Sequence, residues 1–199
     1  KNIKLGWTKG VNKRSVSELS LSLIIISLRK LKENSSKKNI THWKQNIGDN
    51  LTGMTVGIIG CGNVGKDLIL LLKPFKCNIL VNDIKNYEKF YSKNHIRSCS
   101  LNHLLNNSDI ISIHTPLNKS TKNLINSSNI KLLKQKSFLI NTARGGIINE
   151  NALLRNLINN KNFYAACDVF ENEPNIKLDF LKLENFIALP HIGGSTTQS

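Results

Sequence analysis

Thr55-Val-Gly-Ile-Ile59 runs without a break into Gly60-Cys-Gly62-Asn-Val-Gly65, and this junction restricts the fold more than any other stretch of the chain. The first five residues are short, apolar and partly β-branched, the pattern of a buried strand. Beyond the glycines, apolar residues predict a helix over Asn63–Leu72, stopped by Pro74. A glycine-rich turn between strand and helix leaves helix-terminal N–H groups unpaired and facing an anion. Gly60 permits the tight turn, Gly62 lets a pyrophosphate approach the backbone, and Gly65 lets the helix pack against the strand. Asp83 ends the next apolar run, where a carboxylate accepts hydrogen bonds from the ribose hydroxyls of NAD and repels the 2′-phosphate of NADP. Lys85 is a nearby cation that softens this rejection.

The rest of the chain repeats the alternation. Strands are expected over Cys77–Asn82, Asp109–Ile113, Ser137–Asn141, Tyr164–Cys167 and Phe186–Leu189, with a helix over Asn149–Asn160. An opening helix is expected over Val16–Leu31, started by a capping box at Ser15 and Glu18. Strands alternating with helices give right-handed βαβ units. The expected fold class is therefore α/β, a Rossmann-type doubly wound parallel sheet with its ligand at the carboxyl ends of the strands.

Composition removes several alternatives. The formal charge of +15 comes from 28 Lys and Arg against 13 Asp and Glu. The excess is mostly Lys scattered among Asn without a dense basic run, so no nucleic-acid partner is expected. No apolar run approaches the roughly 20 residues that span a bilayer, so no membrane partner is expected. Cys61, Cys77, Cys99 and Cys167 form no CxxC pair and sit at no metal-ligand spacing, so no metal is expected. Isolated cysteines suit reduced thiols in the cytoplasm.

Three further motifs follow in order: Asn141-Thr-Ala-Arg-Gly145, Asp168-Val-Phe-Glu-Asn-Glu173-Pro174, and Pro190-His191-Ile-Gly-Gly-Ser195. Together with His114-Thr-Pro-Leu117 they resemble the D-isomer-specific 2-hydroxyacid dehydrogenases, most nearly the D-3-phosphoglycerate dehydrogenase branch. The resemblance implies NAD as cofactor and a catalytic set of Arg144, Glu173 and His191. Arg144 would clamp the substrate carboxylate with its planar fork. His191 would be the general acid/base, with Glu173 on its other nitrogen fixing the tautomer. The resemblance also implies cofactor contacts. Asn63 and Val64 would meet the pyrophosphate, and Thr115, Pro116 and Thr121 would border the adenosine. Thr142, Ala143 and Arg144 would line the nicotinamide ribose. Asp168 would bind the carboxamide, and His191, Ile192, Gly193 and Gly194 would lie along the ring.

In that family a second, smaller domain made from both chain ends chooses the substrate. Residues 1–12 are expected to be the crossover from that domain, 13–195 the cofactor domain, and 196–199 the start of the return. The implied partner is a small 2-hydroxy or 2-keto acid, with 3-phosphoglycerate the candidate in the oxidising direction, and the implied assembly is a homodimer. Formate dehydrogenases of the same superfamily carry glutamine where this chain has Glu173, so a hydroxy or keto acid is expected. The competing reading is an NAD-sensing, corepressor-like scaffold on the same fold.

Overall fold

The computed structural model describes residues 10–199. It opens with α1 (Lys13–Leu28), α2 (Leu31–Asn34) and α3 (Lys37–Thr41). Next come β1 (Thr55–Ile59), α4 (Asn63–Leu72), β2 (Asn78–Asn82), α5 (Glu88–Lys93), β3 (Arg97–Ser98), α6 (Leu101–Asn107) and β4 (Ile110–Ile113). The chain ends with β5 (Ser137–Asn141), α7 (Glu150–Asn159), β6 (Phe163–Cys167) and β7 (Phe186–Ala188). All seven strands are parallel, in the order β3-β2-β1-β4-β5-β6-β7. The order reverses between β1 and β4, which opens a crevice outside their carboxyl ends.

Helices cover both faces, so the central strands are apolar on both sides. Val56, Ile58, Ile110, Phe138, Ile140 and Ala166 face α1 and α4 in one core. Ile59, Ile111, Ile113, Leu139, Ala165 and Cys167 face α6 and α7 in the other. The period-2 alternation of neighbours such as Ile110 and Ile111 assigns each side chain to its layer. No described helix is long and apolar enough to cross a membrane.

The expected strands and the helices after β1 and before β6 are present within one or two residues. The opening helix differs. It starts at Lys13 with Asn12 as N-cap and ends at Leu28, three residues before the expected Leu31. No capping box forms at Ser15, whose hydroxyl instead meets those of Thr196 and Ser199 at 2.8 and 2.7 Å. Tertiary contacts move the start. Arg14 pairs with Asp67 of α4 at 3.0 Å, and the buried Ser17 hydroxyl donates to the same carboxylate. At the far end Lys30 adopts a left-handed φ of 49°, which breaks the run before α2. Residues 1–9 of the expected crossover lie outside the described residues.

Candidate active site

The glycine turn is built as its spacing requires. Gly60 has φ of +93°, and a Cβ there would meet the His114 carbonyl oxygen at 2.7 Å, so β4 closes tightly on the turn. A Cβ on Gly65 would lie 2.1 Å from the Gly60 oxygen, whereas one on Gly62 would meet nothing within 4 Å. Gly62 is also the N-cap of α4 and has no side chain to cap it. The first-turn amides, those of Asn63 and Val64 among them, therefore receive no side-chain acceptor. Open space in front of free amides at a helix N-terminus fits a pyrophosphate. Gly62→Ala is expected to leave the melting temperature of the free protein nearly unchanged and to weaken NADH binding at least about tenfold, read by calorimetry. Gly65→Ala is expected to destabilise the fold by roughly 1–3 kcal/mol through overpacking. Equal loss of stability in both variants would contradict this division.

Asp83 stands beside the turn. Its carboxylate accepts from the Cys61 amide at 2.6 Å and the Lys85 amide at 2.7 Å. Each oxygen keeps lone-pair capacity for a ribose hydroxyl. Nearby, the Lys66 ammonium lies 3.5 Å from the centre of the Tyr87 ring, forming a wall that sequence reading did not find. Burial pushes the Cys61 thiol up to about 11, so the cysteine inside the motif stays an unreactive thiol. Thr115 and Pro116 follow β4, and the Thr121 hydroxyl donates to the Pro116 oxygen at 2.6 Å and closes their loop.

His114 is the unexpected member of this strand end. Its Nε2 lies 2.8 Å from the Ser112 hydroxyl, while its Nδ1 is buried without a partner. Burial lowers its pKa to about 3, so the native ring is neutral. The unfolded ring protonates near 6.5. The stability of the neutral ring is thus fully present above about 6.5 and is lost as pH falls towards 3, at up to about 1.4 kcal/mol per unit. His114→Gln is expected to flatten the fall of urea-unfolding stability between about pH 6 and 4; an unchanged slope would contradict it.

Beyond β5, the buried Asn141 side chain shapes the arginine turn. It accepts from the Ala143 amide at 3.1 Å and donates to the Arg144 oxygen at 3.0 Å. Thr142 is buried, its hydroxyl 2.8 Å from that of Ser20 in α1, so its backbone is what remains for a ligand. Arg144 is exposed. One Nη donates to the Ala143 oxygen at 2.6 Å, and among the described residues no carboxylate pairs with it. Gly145 has no room for a side chain, since a Cβ would lie 1.8 Å from the Phe170 oxygen. This contact draws the arginine turn against the loop that carries Glu173.

The histidine loop hangs on Asp168. Its carboxylate, 1% exposed, accepts from the Ile192 amide at 2.8 Å and the Gly193 amide at 2.7 Å. Its main-chain oxygen accepts from the His191 amide at 2.9 Å. These three bonds hold His191 at a left-handed φ of 54°, a conformation that costs a residue with a Cβ about 1–2 kcal/mol. Gly193 lies close beneath, where a Cβ would meet Asp168 Oδ2 at 2.9 Å, while Gly194 has more space. The motif spacing did not reveal this loop-holding role of Asp168.

His191 Nδ1 lies 2.6 Å from Glu173 Oε2, and Glu173 Oε1 accepts from the Phe170 amide at 2.8 Å. Partial burial alone would raise the Glu173 pKa. The His191 bond, the Phe170 amide and the charges of His191 and Arg144 outweigh it, and the carboxyl is held below its ordinary range. An ionised Glu173 orients a proton on Nδ1 and leaves Nε2 for a substrate. No cluster of metal-ligating side chains occurs among the described residues.

Residues 21–193 match the family model of the D-isomer specific 2-hydroxyacid dehydrogenase, NAD binding domain. The chain belongs to this family. Its cofactor is accordingly NAD, and sheets of this strand order bind dinucleotides in the crevice at the reversal, here between β1 and β4. A hydroxypyruvate reductase of Thermotoga maritima is 34% identical over all of this chain and 66% of its own length. A D-3-phosphoglycerate dehydrogenase of Haemophilus influenzae is 35% identical over 94% of this chain and 47% of its own length. A D-lactate dehydrogenase of Aquifex aeolicus, solved with NAD and lactic acid, superposes with a TM-score of 0.87 at 29% identity, covering 96% of this chain and 63% of that one. The chain thus spans less than two thirds of each of these relatives.

Proposed function

We propose that this domain, residues 13–195, supplies the cofactor site and the acid/base machinery for interconverting a 2-keto acid and a D-2-hydroxy acid. The carrying observation is the His191–Glu173 pair at 2.6 Å beside Arg144, which has no carboxylate partner among the described residues. The nicotinamide supplies or accepts the hydride when bound. Arg144 offers two parallel donors to the substrate carboxylate. His191 Nε2 gives a proton to the carbonyl oxygen in reduction and takes one from the hydroxyl in oxidation. Glu173 keeps the ring in the tautomer that allows both. Asp83 accepts from the adenosine ribose, with Thr115, Pro116 and Thr121 along the adenosine. Asn63 and Val64 offer amides to the pyrophosphate. Thr142 and Ala143 line the second ribose, and Asp168 turns a remaining lone pair to the carboxamide. Ile192, Gly193 and Gly194 give the ring its floor.

The relatives' names put hydroxypyruvate and 3-phosphoglycerate first among the substrates to try. The second domain that selects between them belongs to the longer protein in this reading. The test is NAD reduction by the full-length protein with the D and L forms of glycerate, 3-phosphoglycerate and lactate. Oxidation of a D form alone is expected; oxidation of the L form would overturn the assignment.

A homodimer fits the surface. Ile40, Trp43 and Ile47, on α3 and the segment after it, are 58%, 80% and 89% exposed, a cluster of large apolar groups that a second copy would cover. Sedimentation equilibrium checks this reading, and a monomer at micromolar concentration would contradict it.

A further inference from the structure

We infer that Glu150, the first residue of α7, is a positioning residue that sets the His191–Glu173 pair from behind; the inference rests on the function proposed above. Glu150 is a carboxylate only 7% exposed. Burying a charge is costly unless it is paired and hydrogen-bonded, and each bond that Glu150 makes beyond its own helix reaches the segment around Glu173. Its Oε1 accepts from the Glu171 amide at 2.6 Å, and its Oε2 lies 3.5 Å from the Lys177 ammonium. Lys177 is tied in turn to Asn151 at 2.8 Å.

Glu171 lies in the short stretch that leads into Glu173. On one side is Phe170, whose amide donates to Glu173 Oε1 at 2.8 Å and whose ring packs at a tilt against Phe180 and edge-on against Phe186, with centroids 6.4 and 6.3 Å away. On the other side is Glu173 itself. The Phe170–Glu171 peptide is one rigid plane, packed against Gly145 on one side and held through its N–H by Glu150 on the other, so the two contacts together set the entry to the turn that carries Glu173. Without an acceptor on α7 the Glu171 N–H loses its partner and the plane is held on its Gly145 side only, so it can tilt, and the Glu173 carboxylate two residues on loses its aim at Nδ1. The N-terminal position on α7 stabilises the negative charge of Glu150. Asn149 caps that helix by accepting from the Ala152 amide at 2.9 Å, so Glu150 is not needed as the cap.

The test uses the full-length protein. Glu150→Met keeps volume and removes the acceptor, and Glu150→Gln keeps an acceptor oxygen. Glu150→Met is expected to lower kcat/KM roughly 30-fold, inside the 10²-fold that a misplacement of about 1 Å costs. Glu150→Gln is expected to restore most of it, with NADH affinity unchanged in both. The pH profile of kcat/KM in Glu150→Met should move towards that of Glu173→Gln. In a Glu173→Gln background, Glu150→Met should cost almost nothing more, because its route of action is gone. Multiplicative losses, or an unmoved pH profile, would overturn the inference and leave Glu150 a stabilising residue only. Should Glu150→Met not fold, Lys177→Met carries the same cycle, with about a threefold loss expected in the parent and none in Glu173→Gln.

A readout without turnover separates this inference from the function on which it rests. The proton shared by His191 Nδ1 and Glu173 should give a downfield NMR resonance that Glu150→Gln keeps and Glu150→Met loses. Full retention in Glu150→Met overturns the inference even where the parent reduces no keto acid, while loss of the resonance supports it there.

Discussion

Replacing His191 by asparagine is expected to lower turnover by about 10²–10⁴-fold, the range for removing a general acid/base. NADH affinity should stay within about twofold, well under 1 kcal/mol. Asparagine is the informative choice. It tolerates the left-handed backbone that His191 adopts at φ 54°, so the loop keeps its shape while the proton carrier is lost. The amides of residues 191, 192 and 193 stay tied to Asp168, so the floor of the crevice is preserved. Turnover and NADH affinity falling in parallel would show that His191 holds the loop and does not carry the proton.

The second large effect is expected at Asp168. Its carboxylate receives two main-chain N–H groups at 2.8 and 2.7 Å while 1% exposed. Asparagine in its place offers one acceptor and turns an NH2 group towards a second donor. Bonds to a charged acceptor contribute about 1.5–3 kcal/mol each, and a buried N–H left without a partner adds its desolvation cost. Asp168→Asn should therefore destabilise the domain by about 2–4 kcal/mol. That corresponds to a fall in Tm of roughly 5–15 °C for a domain of this size. Turnover should be lost with it, because the loop just after His191 loses its side-chain anchors while only the His191 amide stays bonded to the Asp168 main chain. A variant with parental Tm and activity would mean that the loop is held by other contacts.

Parts of this architecture were plain from residue order, and the physical reasons differ from part to part. β1 and α4 fall at the expected residues because Gly60, Gly62 and Gly65 fix both ends of the junction. β4, β5 and β6 were legible because strands buried on both faces are nearly continuous apolar runs. β3 has only two residues and α6 is rich in Asn, so neither carries a usable period. The start of α1 is decided by Asp67, 53 positions away from Arg14, and no local signal reports such a contact. The same divide runs through the site. Arg144, Glu173 and His191 were named from motif order, but their approach depends on Gly145 packing beneath Phe170. Asn141 stands in the arginine motif, but its part in shaping the turn exists only once its side chain meets the Ala143 amide and the Arg144 oxygen. Glu150 and the unpartnered Nδ1 of His114 gave no sequence signal, because burial and partner geometry exist only after folding.

The most direct test of the central claim is NADH oxidation by the full-length protein against hydroxypyruvate, 3-phosphohydroxypyruvate, glyoxylate and pyruvate, with Arg144→Ala in parallel. The expected result is turnover on at least one of them, with KM raised and kcat lowered together in Arg144→Ala. Tight NADH binding with no turnover on any of the four would contradict it and favour a cofactor-sensing scaffold.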